Sequence, residues 1–322
     1  MQKAPLYNDI AKGPAGGQAY WLNTQDDIRI RAAHWPGPGK GPGKGTGKGT
    51  GKGTILLLPG RSEYVEKYGR AGNELKARGF GTICIDWRGQ GLADRLDTLA
   101  TVGHVARFSD YQKDLAAVLE MAETLNCPRP FYLIAHSMGG CIGLRALHRG
   151  LALKAAVFTA PMWGVPLRPA KLALAWTLSW AVHGSFLGRK HTPGTLRDSY
   201  VLSAPFQGNE LTSNPEYYAN MQRDLREHPE LILGGPSLNW LYQALRETRA
   251  LRAITPPPVP ALTFLGSDER VVDPGAIHRV MEKWPDGVLR MVSGTRHEVM
   301  METPKIQTDF FNAVTQHFTQ HP

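Results

Sequence analysis

The stretch Phe131-Tyr-Leu-Ile-Ala-His-Ser-Met-Gly-Gly140 decides the predicted fold. A short apolar run that follows Pro130 is typical of a buried strand. After Ser137, apolar side chains continue at helical spacing as far as Gly150, where a helix would end. A serine between a strand and a helix must occupy a sharp, strained turn, which small neighbours permit and which lifts its oxygen above the sheet. Ser137 is therefore the candidate nucleophile, although Ala135 stands where the usual Gly-x-Ser-x-Gly motif has its first glycine.

The composition favours one large globular domain, or a domain that carries an insertion. Of the 322 residues, 42% are hydrophobic and 20% are charged, so the chain can bury a sizeable core. The three cysteines are scattered and lack Cys-x-x-Cys spacing, so neither a disulfide framework nor a cysteine-based metal site is expected. Residues 1–20 have no apolar signal core, and the longest apolar run, residues 172–182, is too short to cross a bilayer. These features predict a cytoplasmic protein, with peripheral membrane contact left open.

The net charge of +9 does not by itself indicate a nucleic-acid partner. Much of the excess lies in residues 37–54, where Gly-Pro-Gly-Lys repeats pass into Gly-Thr-Gly-Lys, and the rest is spread along the chain without a basic cluster. Every lysine of the repeat is followed by glycine, so the Gly-Lys-Ser/Thr of a phosphate-binding loop does not occur. A segment of this kind buries too little apolar surface to offset its chain entropy. We therefore predict a flexible surface loop over residues 37–54 and no nucleic-acid partner.

The hydrophobic pattern predicts an α/β fold with an inserted helical cap. Residues 17–23 and 28–35 have the pattern of an antiparallel hairpin. From residue 54 onward, continuous apolar strands alternate with amphipathic helices, which indicates a mostly parallel central sheet with helices on both faces. The alternation stops at about residue 162 and resumes after residue 253. The predicted core therefore consists of residues 1–161 and 254–322, and residues 162–253 form the cap or lid.

His297 is the candidate base that would activate Ser137. A serine hydroxyl is a poor nucleophile until a base takes its proton, and a carboxylate must orient that base; on this fold the chain order is serine, acid, histidine. His297 follows the last predicted strand and precedes the last helix, so its loop can lean over the carboxyl edge of the sheet. The acid should lie in the loop after the strand at 261–265, which offers Asp268, Glu269 and Asp273.

Two backbone amides are predicted to stabilise the oxyanion of the reaction. One belongs to the residue after the nucleophile, Met138, and the other to the loop after the first parallel strand. In that loop Gly60 permits a close approach of the backbone to a substrate, and Arg61 supplies the amide. The functional prediction at Arg61 concerns its backbone, while its side chain is expected to be a solvated charge.

These motifs resemble those of the serine α/β-hydrolases in the monoacylglycerol lipase and bacterial lysophospholipase group. The resemblance runs from about residue 17 to the C-terminus, leaving out the glycine repeat, and is weakest through the cap. The matching segments are Leu58-Pro-Gly-Arg-Ser-Glu-Tyr64, Asp86-Trp-Arg-Gly-Gln-Gly91, Ala135-His-Ser-Met-Gly-Gly140, Gly266-Ser-Asp-Glu-Arg-Val-Val-Asp273 and Gly294-Thr-Arg-His-Glu298.

Two positions depart from the pattern of that family. Its oxyanion loop usually opens with His-Gly, whereas Pro59 precedes Gly60 here, so any role of that histidine is absent. Its acid is usually an aspartate three residues after the glycine, a position that Glu269 fills in this chain. The resemblance therefore implies Glu269 as the acid, with the neighbouring Asp268 as the alternative.

The resemblance implies a carboxylic-ester hydrolase that acts through a serine acyl-enzyme on monoacylglycerols or lysophospholipids, without a metal or organic cofactor. A thioesterase or amide hydrolase could use the same three residues, and a non-catalytic binder of apolar ligands is the alternative outside enzymes. The cap is rich in aromatic residues, of which Trp176 and Trp180 are predicted to line the substrate pocket. The apolar run at 172–182 also predicts transient contact between the cap and a membrane surface.

Overall fold

The computed structural model describes residues 1–39, 51–96, 101–195 and 198–322. Within these residues nine strands form one sheet, and helices cover both of its faces. The predicted α/β architecture with a mostly parallel sheet is therefore confirmed. The strands are β1 (Gln2–Ala4), β2 (Gln18–Asn23), β3 (Arg29–Trp35), β4 (Gly53–Leu58), β5 (Phe80–Asp86), β6 (Phe131–His136), β7 (Ala156–Thr159), β8 (Ala261–Gly266) and β9 (Gly287–Val292).

The strand order in the sheet is β1-β2-β3-β5-β4-β6-β7-β8-β9. The first three strands pair antiparallel, β3 also runs antiparallel to β5, and the remaining pairs are parallel. The predicted hairpin is formed by β2 and β3, where the Thr24 N–H donates to the Ile28 carbonyl oxygen across the turn. The sequence did not predict β1, because a three-residue edge strand is too short to show a hydrophobic period.

The helices divide between the two faces of the sheet and complete two apolar clusters. One cluster contains buried side chains of α3, α4, α8 and α9, and the other contains those of α2 and α10. The helices are α1 (Asn8–Ala11), α2 (Gly69–Ala77), α3 (Tyr111–Thr124), α4 (Met138–His148), α5 (Pro169–Val182), α6 (Tyr200–Ser203), α7 (Pro215–Glu227), α8 (Leu238–Ala253), α9 (Pro274–Met281) and α10 (Pro304–Gln320).

The strand order reverses at β4, which lies between β5 and β6. The reversal places the loop after β4 beside the loop after β6, because Leu58 is paired with Ala135 at the carboxyl ends of these strands. Crevices at such reversal points are where open α/β sheets usually bind their ligands. The loops that follow β8 and β9 leave the same carboxyl edge of the sheet.

The connection between β3 and β4 lies at the opposite edge of the sheet. Trp35, at the end of β3, pairs with Thr82 near the start of β5, so the chain leaves β3 at the amino ends of the parallel strands. Most of the predicted loop at residues 37–54 falls on residues 40–50, outside the described part of the chain. Its predicted end is too late, because Gly53 and Thr54 already belong to β4 and pair with Phe80 and Gly81.

Between β7 and β8 the described residues contain helices α5 to α8 and no strand of the sheet. Two of these helices, α5 and α8, pack together through the edge-to-face contact of Trp176 with Tyr242, whose ring centroids are 5.9 Å apart. Because the segment enters from the carboxyl end of β7, it lies at the same edge of the sheet as Ser137. We refer to residues 162–253 as the cap.

A buried ionic cluster ties the hairpin to the rest of the sheet. The Arg31 side chain on β3 is fully buried and donates through Nε to Asp86 at 2.6 Å and through both Nη atoms to Glu66 at 2.8 Å. Asp86 in turn accepts the N–H groups of Val65 and Leu92. This guanidinium is thus fully compensated, as buried charges generally are.

Candidate active site

Ser137 lies on the sharp turn between β6 and α4, at the centre of the carboxyl edge. Its backbone has φ 50° and ψ −117°, a conformation that residues with a side chain rarely adopt. The turn is held by hydrogen bonds from Ser137 N–H to the Thr159 carbonyl oxygen and from the N–H groups of Gly140 and Met162 to the Ser137 carbonyl oxygen. The side chain is 8% exposed, so the strained turn presents its hydroxyl to a cavity rather than to bulk water.

The small residues around Ser137 are required by close packing. A Cβ atom at Gly139 would lie 2.1 Å from the Leu58 carbonyl oxygen, and one at Gly140 would lie 2.5 Å from Pro161 Cβ. Ala135, the departure from the usual motif, is fully buried, and a Cβ at Gly143 would lie 3.3 Å from its methyl group. The alanine therefore fits because α4 carries a glycine opposite it.

The structure brings His297 and Glu269 together. His297 Nδ1 is 2.8 Å from Glu269 Oε2, and both side chains are buried. The other carboxylate oxygen of Glu269 accepts the N–H groups of Val271 at 2.6 Å and Val272 at 3.1 Å. These bonds leave the carboxylate little freedom to rotate, so it holds the imidazole with Nε2 available for proton transfer.

The pKa values of this pair move apart. Burial alone would raise the pKa of the Glu269 carboxyl, but the charge and hydrogen bond of His297 and the two backbone amides hold it below its usual range. Burial also disfavours the charged form of His297, yet the facing Glu269 carboxylate raises the pKa of the imidazole above its ordinary value. The carboxylate therefore stabilises the imidazolium that forms when His297 accepts a proton.

The two other candidate acids have partners other than His297. Asp268 is exposed, and its side chain accepts a hydrogen bond from the Ser267 hydroxyl at 3.4 Å. Asp273 precedes α9 and forms an ion pair with Arg279 at 3.2 Å. Of the three carboxylates that the sequence left open, Glu269 alone is hydrogen-bonded to His297 within the described residues.

The backbone amides of Arg61 and Met138 are available to an oxyanion. In the described parts of the chain, neither N–H group has a hydrogen-bond acceptor. The preceding amide, Gly60 N–H, is instead bonded to the Glu63 carboxylate. Gln90 fixes the loop further, because its Nε2 donates to the Gly60 carbonyl oxygen at 2.8 Å. Glu63 and Gln90 carry no recognisable signal for these roles in the sequence, although both stand in segments that carry the family resemblance.

A cavity of about 430 Å³ opens above Ser137 and His297. Core loops and the cap both contribute to its wall, and Trp240 is the tryptophan that lines it. Neither predicted pocket residue reaches this cavity: Trp176 packs on Tyr242 of α8, and Trp180 is 60% exposed on α5. An apolar run shows that several faces of a helix carry apolar side chains, but it does not show which face meets the cavity. The sequence therefore pointed to Trp176 and Trp180 instead of Trp240.

The amino-acid sequence of this chain is similar to those of a known protein family. The family model for serine aminopeptidase S33 matches residues 49–304. The chain belongs to this family. Lysophospholipase L2 of Escherichia coli K12 is 30% identical to it, over 83% of this chain and 81% of that protein. Mouse monoglyceride lipase is 26% identical, over 81% of this chain and 80% of that protein.

Solved structures also share the fold described above. A soluble variant of monoglyceride lipase from Saccharomyces cerevisiae, solved with a substrate analogue, superposes with a TM-score of 0.72 at 20% identity and covers 94% of both chains. The resemblance to the monoacylglycerol lipase and lysophospholipase group, the α/β-hydrolase fold and the prediction of a serine ester hydrolase are therefore confirmed.

Beneath the candidate active site, a buried ionic network joins the loop after β4, which contains Glu63, to the loop after β9, which contains Glu298. Lys67 Nζ lies 2.5 Å from Glu63 Oε1 and 2.6 Å from Glu298 Oε1, and all three side chains are at most 6% exposed. His136 adjoins this network, with Nε2 3.5 Å from Glu298 Oε2. Glu63, His136 and Glu298 have the donor set of a metal site, but the Lys67 ammonium already supplies the cation between the two carboxylates. The network spans 231 positions of sequence between Lys67 and Glu298, so residue spacing could not reveal it.

We expect Lys67→Met to destabilise the protein by about 3 to 5 kcal/mol, because it leaves two buried carboxylates without their cation. Lys67 holds the pKa of Glu63 at about 2 against the opposing effect of burial. In the variant that pKa rises, so protonation relieves part of the cost and the stability deficit becomes smaller at pH 5 than at pH 8. Urea unfolding at both pH values measures the deficit.

Lys305→Met is the matched control, since Lys305 is 89% exposed and its ion pair with Asp309 spans 3.6 Å. It should change the free energy of unfolding by no more than about 0.5 kcal/mol. Equal effects of the two substitutions would contradict the structural role of Lys67.

Proposed function

We propose that the chain hydrolyses carboxylic esters through an acyl-enzyme on Ser137, with His297 as the base and Glu269 as its orienting acid. The observation that carries the proposal is the buried 2.8 Å bond between His297 Nδ1 and Glu269, in a cavity that Ser137 also lines. No bond between Ser137 Oγ and the imidazole is found among the described residues. Such bonds commonly close only when a substrate binds.

The reaction follows from the positions of these groups. His297 Nε2 takes the proton of Ser137 as Oγ attacks the ester carbonyl, while Glu269 stabilises the imidazolium. The N–H groups of Arg61 and Met138 bind the oxyanion of the tetrahedral intermediate. The imidazolium then protonates the departing alcohol, and a water molecule activated by the same imidazole releases the acid and restores Ser137.

The proposed substrates are monoacylglycerols or lysophospholipids, in line with the activities that the names of the relatives carry. The cavity wall is suited to the acyl chain of such a substrate, because it contains the apolar residues Met162, Val201, Leu211, Leu233 and Trp240. A single acyl chain next to a small polar head group fits a wall of this mixed character.

A hydrolysis panel tests this function on the purified protein. It should contain a lysophospholipid, a monoacylglycerol, an acyl thioester and an aminoacyl amide, with the acyl chain held constant across the first three. Faster turnover of either lipid ester supports the proposal. Preference for the amide would favour the peptidase activity that the family name describes, and preference for the thioester would favour a thioesterase.

We infer that the cap makes transient contact with a membrane surface. Within the described residues no helix is long and apolar enough to cross a bilayer. The cap nevertheless exposes five large apolar side chains on and just after α5, with the basic residues Lys171 and Lys190 nearby. Apolar side chains beside basic ones suit the interface of an anionic membrane. This cap apolar patch consists of Leu174, Leu178, Trp180, Phe186 and Leu187.

We expect the double substitution Trp180→Ser and Phe186→Ser to lower activity on lipid presented in anionic vesicles by about tenfold or more, because two large side chains no longer enter the interface. Turnover of a water-soluble short-chain ester should change far less. The matched control replaces Val288 and Met291 of β9, which are also exposed apolar residues but lie outside the patch. An equal loss in both double variants would remove the membrane role.

A further inference from the structure

Arg61 places a positive charge in the candidate active-site cavity. Its side chain lines that cavity together with Ser137 and His297. Nη1 donates to the carbonyl oxygen of Gly234 in the cap at 2.7 Å, and the guanidinium lies 5.8 Å from the centroid of the Trp240 ring. The side chain that the sequence suggested to be solvated is therefore only partly exposed, because the cap contacts this guanidinium.

Within residues 1–39, 51–96, 101–195 and 198–322, the Arg61 charge has no counter-ion. Among the described residues no carboxylate lies within ion-pair distance of it, in contrast to Arg31 and Lys67, which each contact two. Burial lowers the pKa of Arg61 to about 10, and the nearby Tyr111 opposes only part of that effect. The side chain thus stays protonated at neutral pH. A partly buried charge without an ion-pair partner is costly, so the guanidinium favours an anionic ligand group beside it.

We propose that Arg61 binds the phosphate of a lysophospholipid head group and makes the enzyme prefer such lipids to monoacylglycerols. The inference rests on the ester hydrolysis proposed above. Of the five guanidinium N–H donors, one bonds to a described residue, so others remain for phosphate oxygens, which a planar guanidinium can bind in pairs.

The reach of the residue matches that of the lipid. The Arg61 N–H is a proposed oxyanion donor in the cavity that Ser137 lines, and the same residue carries its cation at the end of a long, flexible side chain. In a lysophospholipid the phosphate is separated from the ester by only the glycerol carbons. A monoacylglycerol has a neutral hydroxyl at that position and gives Arg61 no anion to bind.

The other charges of the cavity suit a zwitterionic head group. Glu63 and Glu298 also line the cavity, and the single Lys67 ammonium forms an ion pair with each of them. Two further carboxylates in the lining, Asp198 and Glu210, belong to the cap. An ammonium group beyond the phosphate therefore finds negative charge in the same cavity, so we choose lysophosphatidylethanolamine as the probe.

The test compares kcat/KM for palmitoyl lysophosphatidylethanolamine and for monopalmitoylglycerol in the same detergent micelles. In Arg61→Met the ratio of the two values should fall about tenfold or more, as expected for the loss of a hydrogen-bonded charge. Arg61→Lys should retain a larger share of the ratio, because it keeps the charge but not the paired geometry. Glycerol phosphate should inhibit monopalmitoylglycerol hydrolysis by the wild type and inhibit Arg61→Met more weakly.

Arg95→Met is the matched control for a purely structural role. Arg95 also ties core to cap, by donating to the carbonyl oxygens of Glu230 and Ile232, but it does not line the cavity. Its loss should affect the hydrolysis of both lipids alike and leave the ratio of their kcat/KM values unchanged.

An unchanged ratio in Arg61→Met, or equal inhibition of the wild type and Arg61→Met by glycerol phosphate, overturns the Arg61 inference alone. Failure of the wild type to hydrolyse either lipid would instead overturn the proposed function. Should Arg61→Met not fold, Arg61→Lys and Arg61→Gln carry the same comparison.

Discussion

Replacing Ser137 by alanine is expected to lower kcat by about a millionfold, because removal of a serine nucleophile eliminates the covalent pathway. The variant should remain folded, since the turn depends on backbone hydrogen bonds of Ser137 and not on its hydroxyl. It should also lose all labelling by a fluorophosphonate. Both the rate and the labelling are measured on the purified protein, together with its melting temperature.

Ser185→Ala serves as the control for this experiment. Ser185 is an exposed cap serine whose hydroxyl bonds only locally, to the Val182 carbonyl oxygen. It should keep full turnover and full labelling. Undiminished hydrolysis by Ser137→Ala would end the acyl-enzyme proposal, whatever the labelling shows.

Glu269→Gln is expected to lower kcat by about ten-thousandfold, the loss that follows when the orienting carboxylate of such a site becomes an amide. The carboxamide N–H can donate a hydrogen bond to His297 Nδ1, which stabilises the tautomer that carries its proton on Nε2 and cannot accept the Ser137 proton. Asp268→Asn should stay within a few-fold of the wild type, because Asp268 faces solvent and does not contact the imidazole. A crippled Asp268→Asn with an active Glu269→Gln would falsify the assignment of the acid.

The pH profile gives an independent readout of the same pair. His297 must be neutral to act as base, so kcat/KM should rise with pH through the pKa of His297. The Glu269 carboxylate raises that pKa, so residual activity of Glu269→Gln should rise at lower pH than activity of the wild type. A shift toward higher pH would contradict the contact seen between the two side chains.

The strained turn at Ser137 and the order of the site residues could be predicted because they depend on local chemistry. A strained turn demands small neighbours, and the position of His297 after the last strand follows from the alternation of strands and helices. The choice of Glu269 over Asp268 required the family resemblance, since both residues lie in one loop and spacing alone does not show which one turns inward.

Contacts between distant segments outside the predicted site residues could not be predicted. Lys67 and Glu63 have helical spacing, which is compatible with an ion pair. The second ion pair of Lys67 is with Glu298, near the other end of the chain. The environment of Arg61 likewise depends on Gly234 in the cap. The sequence shows that Lys67 and Arg61 are cations. Their burial and their partners depend on how distant segments pack together in the fold.

The connection between β3 and β4 offers a point of attachment for applied use. It leaves the sheet at the amino ends of the parallel strands, whereas Ser137, Glu269 and His297 follow the carboxyl ends. A peptide tag inserted between Gly39 and Gly51 would tether the enzyme to a solid support by the edge remote from the cavity. Immobilised in this way, the catalyst keeps its cap directed toward the lipid phase, so particles coated with it can be recovered and reused.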